Sequence, residues 1–227
     1  MWSARSFSNY IGVPELVRLT KAPFLELFAR ADTPPKQLCS YANWLTVMAL
    51  ANQAHDAGYP FTMTEIRSVL RRADERALQN VAHRLALEME KAKPGRKIEV
   101  WRNSVGPVFQ GIWPLDIDLQ TPATTFKLVQ ILRATDDAFP EAADVITPFI
   151  RPERPGRHHT VFSISKADDI LYTSSPSKML ELVSTVVGDP PPASVYALTQ
   201  VLTRIRAADP NLANTREFGR LTRYAAP

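Results

Sequence analysis

Apolar residues in this chain recur at steps of three and four through run after run, and prolines stand at the edges of those runs rather than inside them. Three-and-four spacing lines side chains along one helical face. A proline ring fixes φ and lacks an N–H, so it starts a helix or forbids its continuation. The sequence holds 19 prolines against 8 glycines, which predicts short helices with firm boundaries. The expected fold is all-α, with helical hairpins packed as an irregular bundle or as a short HEAT-like α-solenoid.

Residues 98–115 form the centre of the pattern. Trp101, Val105, Val108, Phe109 and Ile112 share one face, expected to bend at Gly106-Pro107 and to stop at Trp113-Pro114. Upstream, the spacing predicts short helices from Pro14 and Pro23 and a longer one through Leu38, Tyr41, Leu45 and Met48. A further start is expected at Thr62, where Glu65 completes a capping box. Leu78, Val81, Ala82, Leu85 and Met89 predict the buried side of the next helix, with Asp74 as its N-cap.

Downstream, Thr121-Pro122 and Ser175-Pro176 each join a capping side chain to a proline suited to the first helical position. The first leads into a buried face of Phe126, Val129 and Leu132, followed by a helix opening at Phe139-Pro140 with Ala143 and Ile146 inside. The second leads into Met179, Leu182, Val183 and Val186, followed by a helix with Leu198, Val201, Leu202 and Ile205 inside. The cap-proline pairs recur after about 54 residues, the signature of repeated helical hairpins. Asp209-Pro210 and Thr215 introduce a last helix carrying Phe218, Leu221 and Tyr224. Thr160-Val161-Phe162-Ser163-Ile164 reads as a strand-like, extended pentamer running into a cap at Ser165. Residues 1–96 are expected to form an N-terminal helical bundle and residues 97–227 a C-terminal hairpin array, or the two run on as one continuous domain.

Composition excludes global disorder: 45% of residues are hydrophobic and 22% charged. A net charge of +4, from 27 basic and 23 acidic residues, permits an anionic partner without a strong field. No stretch approaches the roughly 18 apolar residues of a membrane span, and the first residues lack a signal-peptide core. No membrane partner and a cytoplasmic location are expected. The single Cys39 has no second cysteine to pair with and no neighbouring histidine, so it is expected as a small buried hydrophobe.

No phosphate-binding glycine loop, Ser-His-Asp order, paired-carboxylate motif or nucleophile elbow is present, so no enzyme, no cofactor and no small-molecule substrate are suggested. His158-His159, with Asp168 and Asp169 beyond, are metal-ligand residue types, but adjacent loop histidines point apart and no metal site is expected. Arg151, Arg154, Arg157, His158 and His159 form a basic segment expected to meet a protein partner, an acidic segment or a phosphate. Residues 62–90 offer a competing reading as a helix-turn-helix DNA-binding regulator. There Arg71, Arg72, Arg76 and Arg84 would face phosphates and Gln79, Asn80 and His83 would meet base edges. Against it, the link at Arg71-Arg72-Ala73-Asp74 lacks the usual glycine, and Asp74, Glu75, Glu88 and Glu90 would stand near the phosphates.

Trp101 to Pro114, Phe139-Pro140-Glu141-Ala142, Pro176 to Leu182 and Asp209-Pro210 to Leu221 together resemble the C-terminal helical region of large bacterial multidomain proteins. Some of those carry SIR2-like or nucleotide-binding modules and are associated with phage defence. The resemblance spans about residues 75–227 and rests on packing motifs, so it carries over no catalytic residue. It implies a fragment or stand-alone relative that serves as scaffold or sensor. The reading is therefore a non-catalytic protein-interaction or scaffold module with an unidentified protein partner.

Overall fold

The computed structural model describes residues 75–111, 113, 121–153, 159–189 and 196–225. The expectations placed on Pro14, Pro23, Cys39, Thr62, Glu65, Arg71, Arg72, Asp74, Ile112, Pro114, Arg154, Arg157 and His158 lie outside these residues. In chain order the helices are α1 (Glu75–Lys91), α2 (Lys97–Val100), α3 (Gly106–Gly111), α4 (Pro122–Arg133) and α5 (Phe139–Ile146). They continue as α6 (His159–Ser165), α7 (Asp169–Ser174), α8 (Pro176–Val187), α9 (Tyr196–Ala208) and α10 (Arg216–Ala225). Short 3₁₀ turns at Asp136–Ala138, Thr147–Phe149 and Pro210–Asn214 join neighbours, and no strand occurs among the described residues. The fold is all-α.

The periodicity is obeyed where it is strongest. Leu78, Val81, Ala82, Leu85 and Met89 turn inward on α1, and Leu198, Val201, Leu202 and Ile205 do so on α9. One apolar core runs from Leu78 to Leu221, so α1 shares its packing with the helices that follow. The caps also form: the Thr121 hydroxyl accepts from the Thr124 amide ahead of Pro122, and the Asp209 side chain accepts from Asn211. Ser175 makes no side-chain cap bond, although Pro176 does open α8. α8 ends at Gly188, whose φ of +68° suits glycine, and a Cβ there would stand 2.6 Å from Pro152.

The expected bend at Gly106-Pro107 takes the form of a widened π-turn over Trp101–Val105, in which the Gly106 amide reaches back to the Trp101 carbonyl. The wider turn places a longer backbone bond ahead of Pro107, whose ring would crowd a regular helix. Gly106 is required by packing: a Cβ would meet the Trp101 carbonyl oxygen at 3.0 Å and its indole at 3.1 Å. The turn seats Trp101 in an aromatic cluster with Phe109, Trp113 and Phe149, whose neighbouring ring centroids lie 5.0–6.4 Å apart.

Two expectations are overturned. Residues 160–164 are not extended: they lie in α6, with Thr160, Val161 and Ile164 buried against a surround of α4, α8 and α9, and Ser165 is the last residue of that helix rather than the cap of a following one. β-Branched residues cost a helix only a few tenths of a kcal/mol each, whereas burying a valine or isoleucine is worth about 1.5–3 kcal/mol. Burial wins. Because α6 sits among those helices, the hairpins pack around a shared element, as an irregular bundle. Phe126 is the second correction: it is half-buried, and the inward face of α4 is instead Thr125, Leu128, Val129 and Leu132.

Tyr172 on α7 donates to the Ile164 carbonyl at 2.8 Å, and the Arg204 guanidinium lies 3.7 Å from its ring centroid. Burial pushes its pKa up from 10.0 to about 12, with the positive charge of Arg204 opposing. The folded chain thus holds the phenol proton more tightly than the unfolded one. That contribution to stability is complete below pH 10 and is lost as pH rises from 10 to about 12. Urea unfolding at a series of alkaline pH values should show a shallower fall in stability for Tyr172→Phe than for wild type, and parallel falls would contradict this placement. Trp101, only 2% exposed, gives a second test: Trp101→Ala should cost about 3–5 kcal/mol in urea unfolding, and a loss under about 1 kcal/mol would put the indole outside the core.

Candidate functional site

α4 and α6 run side by side in the same direction. At their starts, Thr125 Oγ1 accepts from the Arg151 amide at 2.8 Å, which brings residues 151–153 against the first turn of α4. At their ends, the Arg133 guanidinium donates to Ser163 Oγ at 3.0 Å and to the Lys166 carbonyl at 3.2 Å. Between these ties lies a cavity of about 500 Å³, with Phe126, Lys127 and Gln130 of α4, His159 and Phe162 of α6, and Lys166 in its lining. Such a volume is in the range of small-molecule sites.

Polar groups at the two ends of the cavity are left unsatisfied. Glu153 is 8% exposed and Thr160 is 1% exposed. Glu153 Oε1 accepts from the Thr160 amide at 2.6 Å and so caps the start of α6 with a negative charge. Its other oxygen, Oε2, is buried without a hydrogen-bond partner, as are Thr160 Oγ1 and Arg133 Nε. These three are the only such side-chain atoms among the described residues, and all three residues line this one cavity. An unsatisfied buried polar atom costs about 1–3 kcal/mol, and all three of these costs fall on residues around one cavity. The rings add to it: Phe162 is 56% exposed, an unusual outlay for a phenyl group, and Lys166 Nζ lies 5.5 Å from its centroid. Lys127 Nζ lies 5.9 Å from the Phe126 centroid on the facing wall.

The residues singled out from sequence are placed unevenly. His159 heads α6 and lines the cavity, whereas Arg151 turns its guanidinium to the Pro148 and Ile150 carbonyls. Along α1, Gln79 borders the cavity and His83 borders an adjoining hollow of about 470 Å³, and Asn80 and Arg84 step round to a different face of the helix. Arg76 lies on α1. Among the described residues no three His, Cys, Asp or Glu side chains come together as a metal-binding group, and no helix is long and apolar enough to cross a membrane.

Sequence reasoning missed Glu153, Thr160, Phe126, Phe162, Arg133, Lys127 and Lys166. Glu153 lies inside a segment whose arginines dominate the pattern, and Thr160 and Phe162 lie inside a pentamer whose composition favours a strand. One signal was present: Phe126, Gln130 and Arg133 on one helix, and His159 and Phe162 on the other with Lys166 just past its end, hold three-and-four spacing while mixing rings with polar tips.

No family model and no solved structure matches the chain. Uncharacterized protein y4cA of Sinorhizobium fredii (strain NBRC 101917 / NGR234) is 23% identical over 133 residues, which is 59% of this chain and 11% of that protein. The chain thus spans about a tenth of the length of the relative it matches.

Thr160→Val offers a direct test of the strained floor. It keeps the backbone amide that Glu153 holds and removes the hydroxyl with no partner. The ligand-free variant should be more stable than wild type by about 1 kcal/mol. A loss of stability in thermal unfolding would show that the hydroxyl is satisfied in solution.

Proposed function

We propose that this chain is a non-catalytic helical binding module, a scaffold or sensor that works as part of, or accessory to, a larger bacterial assembly. Its working surface is the cavity between α4 and α6, together with the basic segment that holds Arg151, Arg154, Arg157, His158 and His159. The observation that carries this reading is the convergence of three unpartnered buried polar atoms on one open cavity beside an exposed phenyl ring. A core evolved only for stability would pair such groups or replace them. The chemistry of the walls favours binding over turnover at Ser163, whose hydroxyl is held by the Arg133 guanidinium rather than by a base. The match to a tenth of a much longer protein supports a module that functions within a larger whole.

Phe162→Asp tests it, because the ring is exposed and its loss should leave stability within about 0.5 kcal/mol of wild type. Affinity purification of the tagged full-length chain from its host, followed by mass spectrometry, should recover a partner with wild type and much less of it with Phe162→Asp. Equal recovery with Phe162→Asp and with Arg151, Arg154 and Arg157 all replaced by alanine would remove this surface from the proposal.

A further inference from the structure

We propose that the hairpin of α9 and α10 docks on the phosphodiester backbone of a nucleic acid through Arg206, Arg216 and Arg223, with Gly219 as the floor of the contact. None of the described residues that line the α4–α6 cavity belongs to this hairpin. Charge carries the argument. From Tyr196 to Ala225 the chain has five arginines against two carboxylates, Asp209 and Glu217, an excess of three where the whole chain has an excess of four. Both carboxylates are engaged: Asp209 accepts from the Asn211 amide, and Glu217 accepts from Ser184 and Arg220. Arg204 and Arg220 are taken up by the Ser165, Ala167 and Gly188 carbonyls. Arg206, Arg216 and Arg223 are exposed, and no hydrogen bond or ion pair holds them. The charge of Arg216 is felt by Glu217 beside it.

The free cations are arranged along the hairpin rather than gathered at a point. Arg216, Gly219, Arg220 and Arg223 follow three-and-four spacing on the face of α10 opposite Phe218 and Leu221, which enter the core. Thr199 Oγ1 donates to the Ala225 carbonyl, so α9 and α10 run antiparallel. Arg206, about two turns beyond Thr199 on the same face of α9, therefore comes level with the first turns of α10. Arg216 and Arg223 stand roughly 10 Å apart along the axis. One strand of a nucleic acid presents about three phosphates over that length, whereas a lone phosphate cannot reach both ends of the row. Gly219 is the second observation. Among the described residues a Cβ there would meet nothing within 4 Å, so packing does not call for glycine, which is a poorer helix former than alanine. Its bare backbone leaves the space between the arginines open to close approach. An acidic protein segment carries the same sign of charge, but protein interfaces centre on buried aromatic or aliphatic anchors. The exposed large hydrophobics among the described residues, Phe162 and Ile170, lie on α6 and α7 and not on the hairpin.

The test is fluorescence anisotropy of a labelled mixed-sequence DNA duplex and of a labelled single strand, each titrated with the full chain at several salt concentrations. At least one of them should bind, with affinity falling steeply as salt rises. Tighter binding of the duplex would identify a double-stranded target and tighter binding of the single strand a single-stranded one; both support the surface. Replacing Arg206, Arg216 and Arg223 together by alanine should weaken binding about tenfold or more and lower the slope of log affinity on log salt by about two to three. Gly219→Glu leaves every arginine in place, exchanges glycine for a better helix former in open space, and sets a carboxylate in the middle of the patch. It should keep or raise the melting temperature and also weaken binding about tenfold, so it decides the matter even if the triple variant fails to fold. No binding at low salt, or unchanged affinity and salt slope in Gly219→Glu, would overturn the proposal. Displacement of the nucleic acid by polyglutamate at equal charge concentration would replace it with an acidic protein partner. Binding lost on replacing Arg72 and Arg76 by alanine, with both hairpin variants unaffected, would move the contact to residues 62–90 and overturn it as well.

Discussion

The fold depends on cationic side chains that finish helices far from their own position in sequence. Short helices leave up to four carbonyls unpaired at each C-terminus, and a chain cut this often by proline meets that cost repeatedly. Here Lys97 donates to the Ala134 carbonyl at the end of α4 at 2.7 Å, and Arg133 donates to the Lys166 carbonyl just beyond α6. Arg204 reaches the Ser165 and Ala167 carbonyls, and Arg220 the Gly188 carbonyl after α8. A cation at a helix C-terminus also meets the negative end of the helix dipole. Hydrogen bonds of this charged kind are worth about 1.5–3 kcal/mol each. Exposed ion pairs such as Arg96–Glu99 or Arg102–Glu141 contribute at most about 1 kcal/mol.

The same bonds decide which helices become neighbours. Their donors and acceptors stand 32 to 39 residues apart, so each one ties a helix to the element one hairpin away. α6 is held most firmly: Glu153 caps its start, Arg133 and Arg204 hold its end, and its valine and isoleucine enter the core. Several of the arginines that give the chain its positive balance are therefore structural rather than free to attract a partner.

Arg133 belongs to both aspects of the molecule. Its terminal nitrogens fasten α4 to α6, and its Nε is buried without a hydrogen-bond partner in a residue that lines the cavity. Phe126, Lys127 and Phe162 line the cavity that lies between the two ties. Three buried polar atoms without partners around it reduce the stability of the fold.

The amino-acid sequence determined the helical class, the inward faces of α1, α8 and α9, the caps at Thr121, Asp209 and Thr215, and the burial of Trp101 and Phe109. All of these follow from local spacing or from one side chain meeting a backbone group two or three residues away. Tertiary structure alone decided that residues 160–164 coil into a helix, because the helices surrounding them reward burial by more than the β-branched preference opposes it. It also decided that Phe126 faces a cavity, and that Glu153, Thr160 and Arg133, spread over nearly thirty residues, lie around one space. Periodicity states which side of a helix is apolar. It does not state how closely two helices approach, and that distance makes the difference between a packed wall and a site.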